Sequence, residues 1–599
     1  MLQGQMRNLQ GNGPLKQDSE SSPNINQPNR RMFLGQMSAT LAAGALAAPA
    51  IAAAQSAPAS ESSESTARML ANLNNIDIPN DPRVKKSFEL RLKCATAQAL
   101  VPIPSHQTNG DQQRYPDGSA TYTKAVLQDS IGLVNPAAYQ TLKTALASGK
   151  PLDFENIMMG GSRTLNGPQG GLAFTLEGTD SHQYGSSPSP HNQETEVVVP
   201  PPPAFSSPGW GTELTELYWA SLLRDTAFTD YATSPVATTA CAELTSMQSY
   251  TGPRTNSGLV TPQLLFRGGY PGETLGPYIS QLIIAPSSFG AMPMSNQYIT
   301  YQAGLDYMLD PASFLDVQNG IDTGQRNLKD PTLRYLYNGR ALAAWTHVDV
   351  LFQAYFVAYL VMNTLGVPLN PGNPYTTSRT QNGFDTLGQP DISATLCEVA
   401  ARALDAVWYQ KWFVHLRPRP ESSGGIAYLT RTNQLGSVQA RLNDNVLNSQ
   451  ALKASYDANN SWFLSQAFPE GSPTHPAYPT GHGVVAGACI TALKFFYDGN
   501  FVIPNPLAPT PDGLSVYPYS GPDAGSLTIN GELNKLAHNI SFGHGIHAGI
   551  HWRSDTDSSI LLGEAFAISF LRDKIRCYNE KLTVRLTKID GSIATISNQ

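Results

Sequence analysis

Cysteine is scarce: five in 599 residues, at Cys94, Cys241, Cys397, Cys489 and Cys577, with no CxxC spacing. That excludes a zinc ribbon and a disulfide-dense scaffold. It leaves one or two bridges open and makes several of these thiols small buried apolar residues. Charge is sparse too, at 14% of residues, and the net charge is -7, so no basic stripe is available for nucleic acid. No segment repeats at a fixed short period. Long apolar runs are missing. The longest stretch, Val348 to Leu365, contains Asp349, Gln353 and Asn363, which marks a core helix rather than a membrane span. A soluble mature protein is expected, long enough to bury a large core in several domains or one multilayer unit.

What is present changes along the chain. The first 29 residues, rich in Gln, Asn, Gly, Ser and Pro, read as a disordered leader. A twin-arginine start follows at Asn29-Arg30-Arg31-Met32-Phe33-Leu34-Gly35, then an Ala/Leu run and a small-residue cleavage site at Ala52-Ala53-Ala54. This predicts export by the twin-arginine route to the periplasm or exterior, with an Ala-rich amphipathic helix as the alternative. Residues 1–54 are thus leader plus signal peptide. Residues 55–380 form a partly irregular helical region, with a Gly/Ser/Pro-rich excursion between about Gly160 and Gly211, and residues 381–599 form a helical core. Apolar residues at i, i+3, i+4 predict helices over Asp81 to Val101, Leu214 to Phe228, Leu333 to Leu365, Ile392 to Val414, Val438 to Tyr456, Gly483 to Tyr497 and Ser558 to Asn579. Strand signals are few and short, as in Leu582 to Ile596. The fold class is therefore mainly α, built of helical bundles with the site at the bundle ends.

Three stretches of the last third carry chemistry. Lys411 to Glu421 (KWFVHLRPRPE) places Lys411 at a helix end and Arg419 in a proline-bounded piece beyond it. His475 to His482 (HPAYPTGH) leads through Thr480 and Gly481 into an apolar helix whose N-terminus offers N–H donors. Asn539 to Asp555 (NISFGHGIHAGIHWRSD) places His544, His547 and His551 on one face if it is helical, with Asp555 set to accept an imidazole proton from His551. Fixed cations, a hydroxyl and imidazoles together suit a tetrahedral oxyanion. Taken singly, each stretch has a plainer reading: a solvated helix end, an N-cap, a histidine cluster. Seven of eleven histidines fall between 415 and 551, which favours a site.

In this order and spacing the stretches resemble the signature of the vanadium-dependent haloperoxidases, in the form of the algal and cyanobacterial bromoperoxidase branch. That family shares its anion pocket with the type-2 phosphatidic acid phosphatases. KWxVHxxxRPE is matched by Lys411 and Arg419, HPxYPSGH by His475 to His482 with Thr480 for serine, and GxHxxxD by Gly549, His551 and Asp555. The resemblance covers roughly residues 390 to 575. It implies vanadate as cofactor, bound by Lys411, Arg419, Thr480, the Gly481 N–H and His544, with His551 as the protein ligand to the metal and Asp555 behind it. It further implies His482 as acid–base residue, Lys411 polarising peroxide, and His475 at the position that marks bromide and iodide users. Hydrogen peroxide, halide and organic acceptors are then the partners, and a homo-oligomer is expected.

One departure stands out. The family pattern GRxxxGxH has an arginine six residues before the ligand histidine, and position 545 here is glycine. Losing one charged donor costs about 1.5–3 kcal/mol, or roughly one to two decades of affinity. Arg417, Arg553 or a protonated His544 are the candidates to stand in. Three alternatives stay open: a phosphomonoester hydrolase using the same donors, a non-catalytic oxyanion binder, and a divalent metal site on the His544, His547, His551 face.

Overall fold

The computed structural model describes residues 81–99, 106–161, 172–173 and 198–599. The leader, the twin-arginine segment, the cleavage site and much of the Gly/Ser/Pro-rich excursion lie outside these residues. Among them, the first helices of eight residues or more are α1 (Pro82–Ala99), α2 (Pro136–Ser148), α3 (Pro208–Leu222), α4 (Pro235–Ser246) and α5 (Pro311–Gln318). The middle of the chain holds α6 (Gly339–His347), α7 (Gln353–Thr364), α8 (Gln389–Tyr409), α9 (Pro420–Arg431) and α10 (Gln450–Asn459). Then come α11 (Gly481–Phe496), α12 (Ile529–Phe542) and α13 (Arg553–Ile575). Among the described residues, strands are confined to three two-stranded antiparallel hairpins, the last pairing Thr583–Thr587 with Ile593–Ser597. No helix among the described residues is long and apolar enough to cross a membrane.

The centre is α11. Its sequence GHGVVAGACITALKFF carries no charged residue before Lys494, and every residue of the helix is buried, as expected of a helix apolar all round. It packs along α13 and α8, with α12 on a further side. Glycine permits the α11–α13 approach. A Cβ on Gly487 would lie 2.0 Å from the Ile560 carbonyl oxygen, and one on Gly563 would lie 2.1 Å from that of Val484. The largest apolar cluster joins α6 and α7 to α8, α11, α12, α13 and the last hairpin, so residues on both sides of position 380 share it. A second cluster gathers α3, α4, α9 and α10 around Trp210 and Trp552.

Two expected helices are corrected. The pattern over Leu333 to Leu365 is two helices, α6 and α7, with an irregular turn at 348–352 that leaves Val348 and Val350 exposed while it buries the Asp349 side chain. Periodicity alone runs across that break because both helices bury the same type of face. Val438 to Tyr456 is helical only from Asp444–Leu447 and in α10, since Asn443 and Ser449 each cap a new start through their side chains.

Candidate active site

Both cations come from one connection. Beyond α8 the chain loosens into a π-helical turn, Gln410–His415, that buries Lys411. Leu416, in the left-handed region at φ 42°, ends it, and Arg419 then caps α9 at Pro420. Lys411 Nζ donates to the carbonyls of Pro476 (2.8 Å) and Ala477 (3.3 Å). Arg419 donates from Nε to the His475 carbonyl (2.9 Å), from Nη1 to the Ile550 carbonyl (2.9 Å) and His551 Nε2 (2.7 Å), and from Nη2 to His475 Nδ1 (3.0 Å). Neither cation has a carboxylate partner among the described residues. Burial, together with Arg419, holds Lys411 well below the usual lysine range, and burial lowers Arg419 to about 10.

The second stretch supplies the hydroxyl and the helix end. Thr480 precedes α11, makes no side-chain cap, and directs Oγ1 to within 3.3 Å of His551 Nε2. The first N–H groups of α11 lie beside it, at the positive end of the helix. His475 is half-buried beside Trp408, with ring centroids 4.6 Å apart. Burial first, then Lys411 and Arg419, push its pKa well down, and the Arg419 donation to Nδ1 leaves the proton on Nε2.

His551 is fixed from behind. Its Nδ1 donates to Asp555 Oδ2 (2.9 Å), which also accepts the Trp552 N–H (3.1 Å), so Nε2 presents its lone pair toward Arg419 and Thr480. Burial and then Arg419 hold this imidazole neutral, well below the ordinary histidine range. The other Asp555 oxygen pairs with Arg417 Nη1 at 2.6 Å, and Arg417 Nη2 meets Glu213 at 2.7 Å. The Arg417 guanidinium also lies over the rings of Trp210 (4.6 Å) and Trp552 (4.9 Å).

His482, in the first turn of α11, points to Asp349. Its Nε2 is 3.1 and 3.2 Å from the two carboxylate oxygens. On its other side the ring stacks on His544, centroids 3.9 Å apart, and the His544 ring lies 5.6 Å from that of His551. Burial and then His482 depress His544 well below the histidine range, so it is neutral.

The structure thus brings together Lys411, Arg419, His475, Thr480, Gly481, His482, His544, His551 and Asp555. It corrects three expectations. His547 does not share the face of His544 and His551: residues Gly543–His547 form a π-helical turn, and His547 points the other way, its Nε2 3.0 Å from the Tyr278 hydroxyl. No group of three or more metal-ligating side chains occurs among the described residues, so the divalent-metal alternative loses its face. Neither arginine stands in for the third cation. Arg417 is taken by Asp555 and Glu213, and Arg553 by Glu216 (Nε to Oε2, 2.9 Å).

Sequence reasoning missed Asp349, Glu213 and the bracing role of Arg417. The available signal was an acid inside an otherwise apolar run, at Asp349, and paired acids in an apolar helix, at Glu213 and Glu216. The donor set, two buried cations without counterions, a hydroxyl, a helix N-terminus and one imidazole lone pair, fits a multiply charged tetrahedral oxyanion such as vanadate.

No family model matches the chain. It is 31% identical over 540 residues to a vanadium-dependent bromoperoxidase of Ascophyllum nodosum, covering 86% of this chain and 92% of that protein. It is 29% identical over 604 residues to the vanadium-dependent bromoperoxidase of Corallina officinalis, covering 86% of this chain and 98% of that one. Among solved structures it superposes on the homohexameric second vanadate-dependent bromoperoxidase of Ascophyllum nodosum with a TM-score of 0.76 and 25% identity, covering 88% and 95% of the two chains.

Proposed function

The chain belongs to the vanadium haloperoxidases, and on that premise we propose that it uses hydrogen peroxide to oxidise bromide, and iodide, to a hypohalous equivalent that halogenates organic acceptors. In sum, peroxide, bromide and one proton give hypobromous acid and water. The observation that carries this reading is the fixed His551 lone pair directed at Arg419 and Thr480, with Lys411 a second buried basic group that has no carboxylate partner among the described residues. The named activity of the relatives favours it over a phosphomonoester hydrolase or a silent anion binder.

In this reading His551 Nε2 would ligate the metal, while Lys411, Arg419, Thr480 Oγ1 and the Gly481 N–H would hold the oxyanion, with His544 beside them. Vanadate, with vanadium in its highest oxidation state, supplies the Lewis acid that activates peroxide toward halide. Asp349 accepts a hydrogen bond from His482 Nε2–H, which leaves Nδ1 to exchange a proton with peroxide. A bound oxyanion would favour the charged form of Lys411, which would then add positive potential where negative charge accumulates. His475, with its proton on Nε2, offers a donor to the halide side. The bromide and iodide assignment rests on that histidine and on the names of the relatives. Export by the twin-arginine route rests on the sequence from Asn29 to Ala54, its twin arginines, Ala/Leu run and small-residue cleavage site, and a homo-oligomer rests on the homohexameric neighbour.

The test is peroxide-dependent bromination of a phenol-type dye by protein loaded with orthovanadate, with p-nitrophenyl phosphate hydrolysis measured in parallel. Bromination is expected to require orthovanadate and to vanish in His551→Ala. Bromination that survives either change, or phosphatase turnover alone, overturns the reading.

A further inference from the structure

A second concavity opens on the His547 side of the Gly543–His547 turn, outside the oxyanion pocket. It encloses about 210 Å³. Its walls are aromatic, formed by Phe228, Tyr278, Tyr337, Tyr517 and Tyr519, and Arg267 also faces it. Phe228 and Tyr278 stack at 3.7 Å with planes 8° apart, which fixes one flat wall. A dry cavity of ~150 Å³ admits benzene. This chamber therefore suits one substituted ring, held by aromatic faces.

Arg267 sets the polarity. Its guanidinium lies over the Tyr278 ring at 5.2 Å and donates to the carbonyls of Glu273 (2.8 Å) and Gly276 (3.0 Å). A guanidinium has five N–H donors; here Nε has no partner, and no carboxylate pairs with the group among the described residues. The acids nearby are engaged elsewhere. Asp523 accepts from the Tyr519 hydroxyl (2.7 Å) and the Gly276 N–H (2.7 Å), while Glu532 accepts from the Gln281 N–H (2.7 Å) and Lys535 (2.6 Å). An uncompensated cation at one end of an aromatic chamber selects a ring that carries a negative group.

We infer that this chamber binds a small aromatic carboxylate, a single ring with one acid group, at a site separate from the oxyanion pocket. The site also reaches the histidine segment. The Tyr278 hydroxyl donates to the Phe266 carbonyl, so its oxygen accepts the His547 Nε2 proton at 3.0 Å, and a ring against Tyr278 is one residue removed from the turn that carries His544.

The experiment is calorimetric titration of the full chain, saturated with orthovanadate, with 4-hydroxybenzoate and with p-cresol as the matched uncharged ring. 4-Hydroxybenzoate is expected to bind, and p-cresol to bind at least ten-fold more weakly. Arg267→Gln weakens the acid by ten-fold or more. Tyr517→Ala, at a rim position that is 43% exposed, weakens it several-fold. Both variants keep the parent affinity for orthovanadate. Should Arg267→Gln fail to fold, Tyr517→Ala and the p-cresol comparison decide. Binding that orthovanadate abolishes, equal affinity for p-cresol, affinity unchanged in the variants, or no binding at millimolar concentration overturns the inference. Since no turnover is read, this result stands apart from the bromoperoxidase reading.

Discussion

Asp349 grips His482 from 133 positions earlier in the chain, its two carboxylate oxygens 3.1 and 3.2 Å from the imidazole Nε2. The carboxylate side chain is 3% exposed and fixes both the tautomer and the orientation of the ring. Asp349→Asn keeps the shape and removes the charge. The expected result is a fall in kcat of about 10–100-fold with orthovanadate affinity changed far less, as partners behind a functional histidine behave. Steady-state bromination at saturating orthovanadate, beside an orthovanadate titration, separates the two effects.

Asp555→Asn acts on the ligand rather than the acid–base residue. Without the carboxylate behind Nδ1, His551 loses its fixed lone pair, and orthovanadate affinity should fall by about 10–100-fold. An equilibrium dialysis series on the unloaded protein measures it. Unchanged affinity would remove Asp555 from the site.

Arg417→Met attacks the brace. Glu213 and Asp555 would be left buried without their shared cation, which costs about 3–5 kcal/mol when one partner of a buried pair is removed. Thermal unfolding of the unloaded protein should show a markedly lower Tm, and adding Glu213→Gln should recover part of it.

His544→Arg restores the charge that the family pattern places near this point. The added donor should tighten orthovanadate binding by about ten-fold or more, given ~1.5–3 kcal/mol for a charged hydrogen bond. The same variant should be less stable unloaded, because a third buried cation then joins Lys411 and Arg419 without an anion.

Stability should pass through a maximum set partly by buried histidines. Burial lowers His415 and His547 to about 3, so the unfolded chain takes up their protons first, and stability falls as pH drops from about 6.5 toward 3. His538 goes the other way. Burial opposes its charge, but Glu273 and Asp557 outweigh it and raise the pKa to about 9. Its contribution is complete below the unfolded value of about 6.5 and is lost as pH rises to about 9. In Tm measured against pH, His538→Gln should flatten the alkaline limb and leave the acid limb in place.

The last third of the chain was readable because its chemistry is local. Lys411 and Arg419 flank one turn, Thr480 and His482 open one helix, and His551 and Asp555 lie four residues apart, so spacing places them without a fold. Helix α11 was readable for the same reason, from apolar residues at helical spacing over Gly483 to Tyr497. His547 was misread because a π-helical turn replaces the α-helix there, and the i, i+3, i+7 rule holds only for regular helix. Acids in apolar surroundings marked Asp349 and Glu213 as unusual, but their partners His482 and Arg417 could not be read, because only tertiary packing brings these pairs together. The break at 348–352 that delivers Asp349 carries no glycine or proline to announce it.

Glu213, one of the two carboxylates paired with Arg417, comes from α3, and Asp349, which orients His482, from the turn after α6, whereas the residues that face the anion come from beyond position 410. A chain whose earlier helices have not yet docked would hold Arg417 against Asp555 alone and leave His482 unaimed. Retention of orthovanadate is therefore a readout of completed folding as well as of pocket chemistry: cofactor loading distinguishes a fully assembled molecule from one in which only the motif-bearing half has formed.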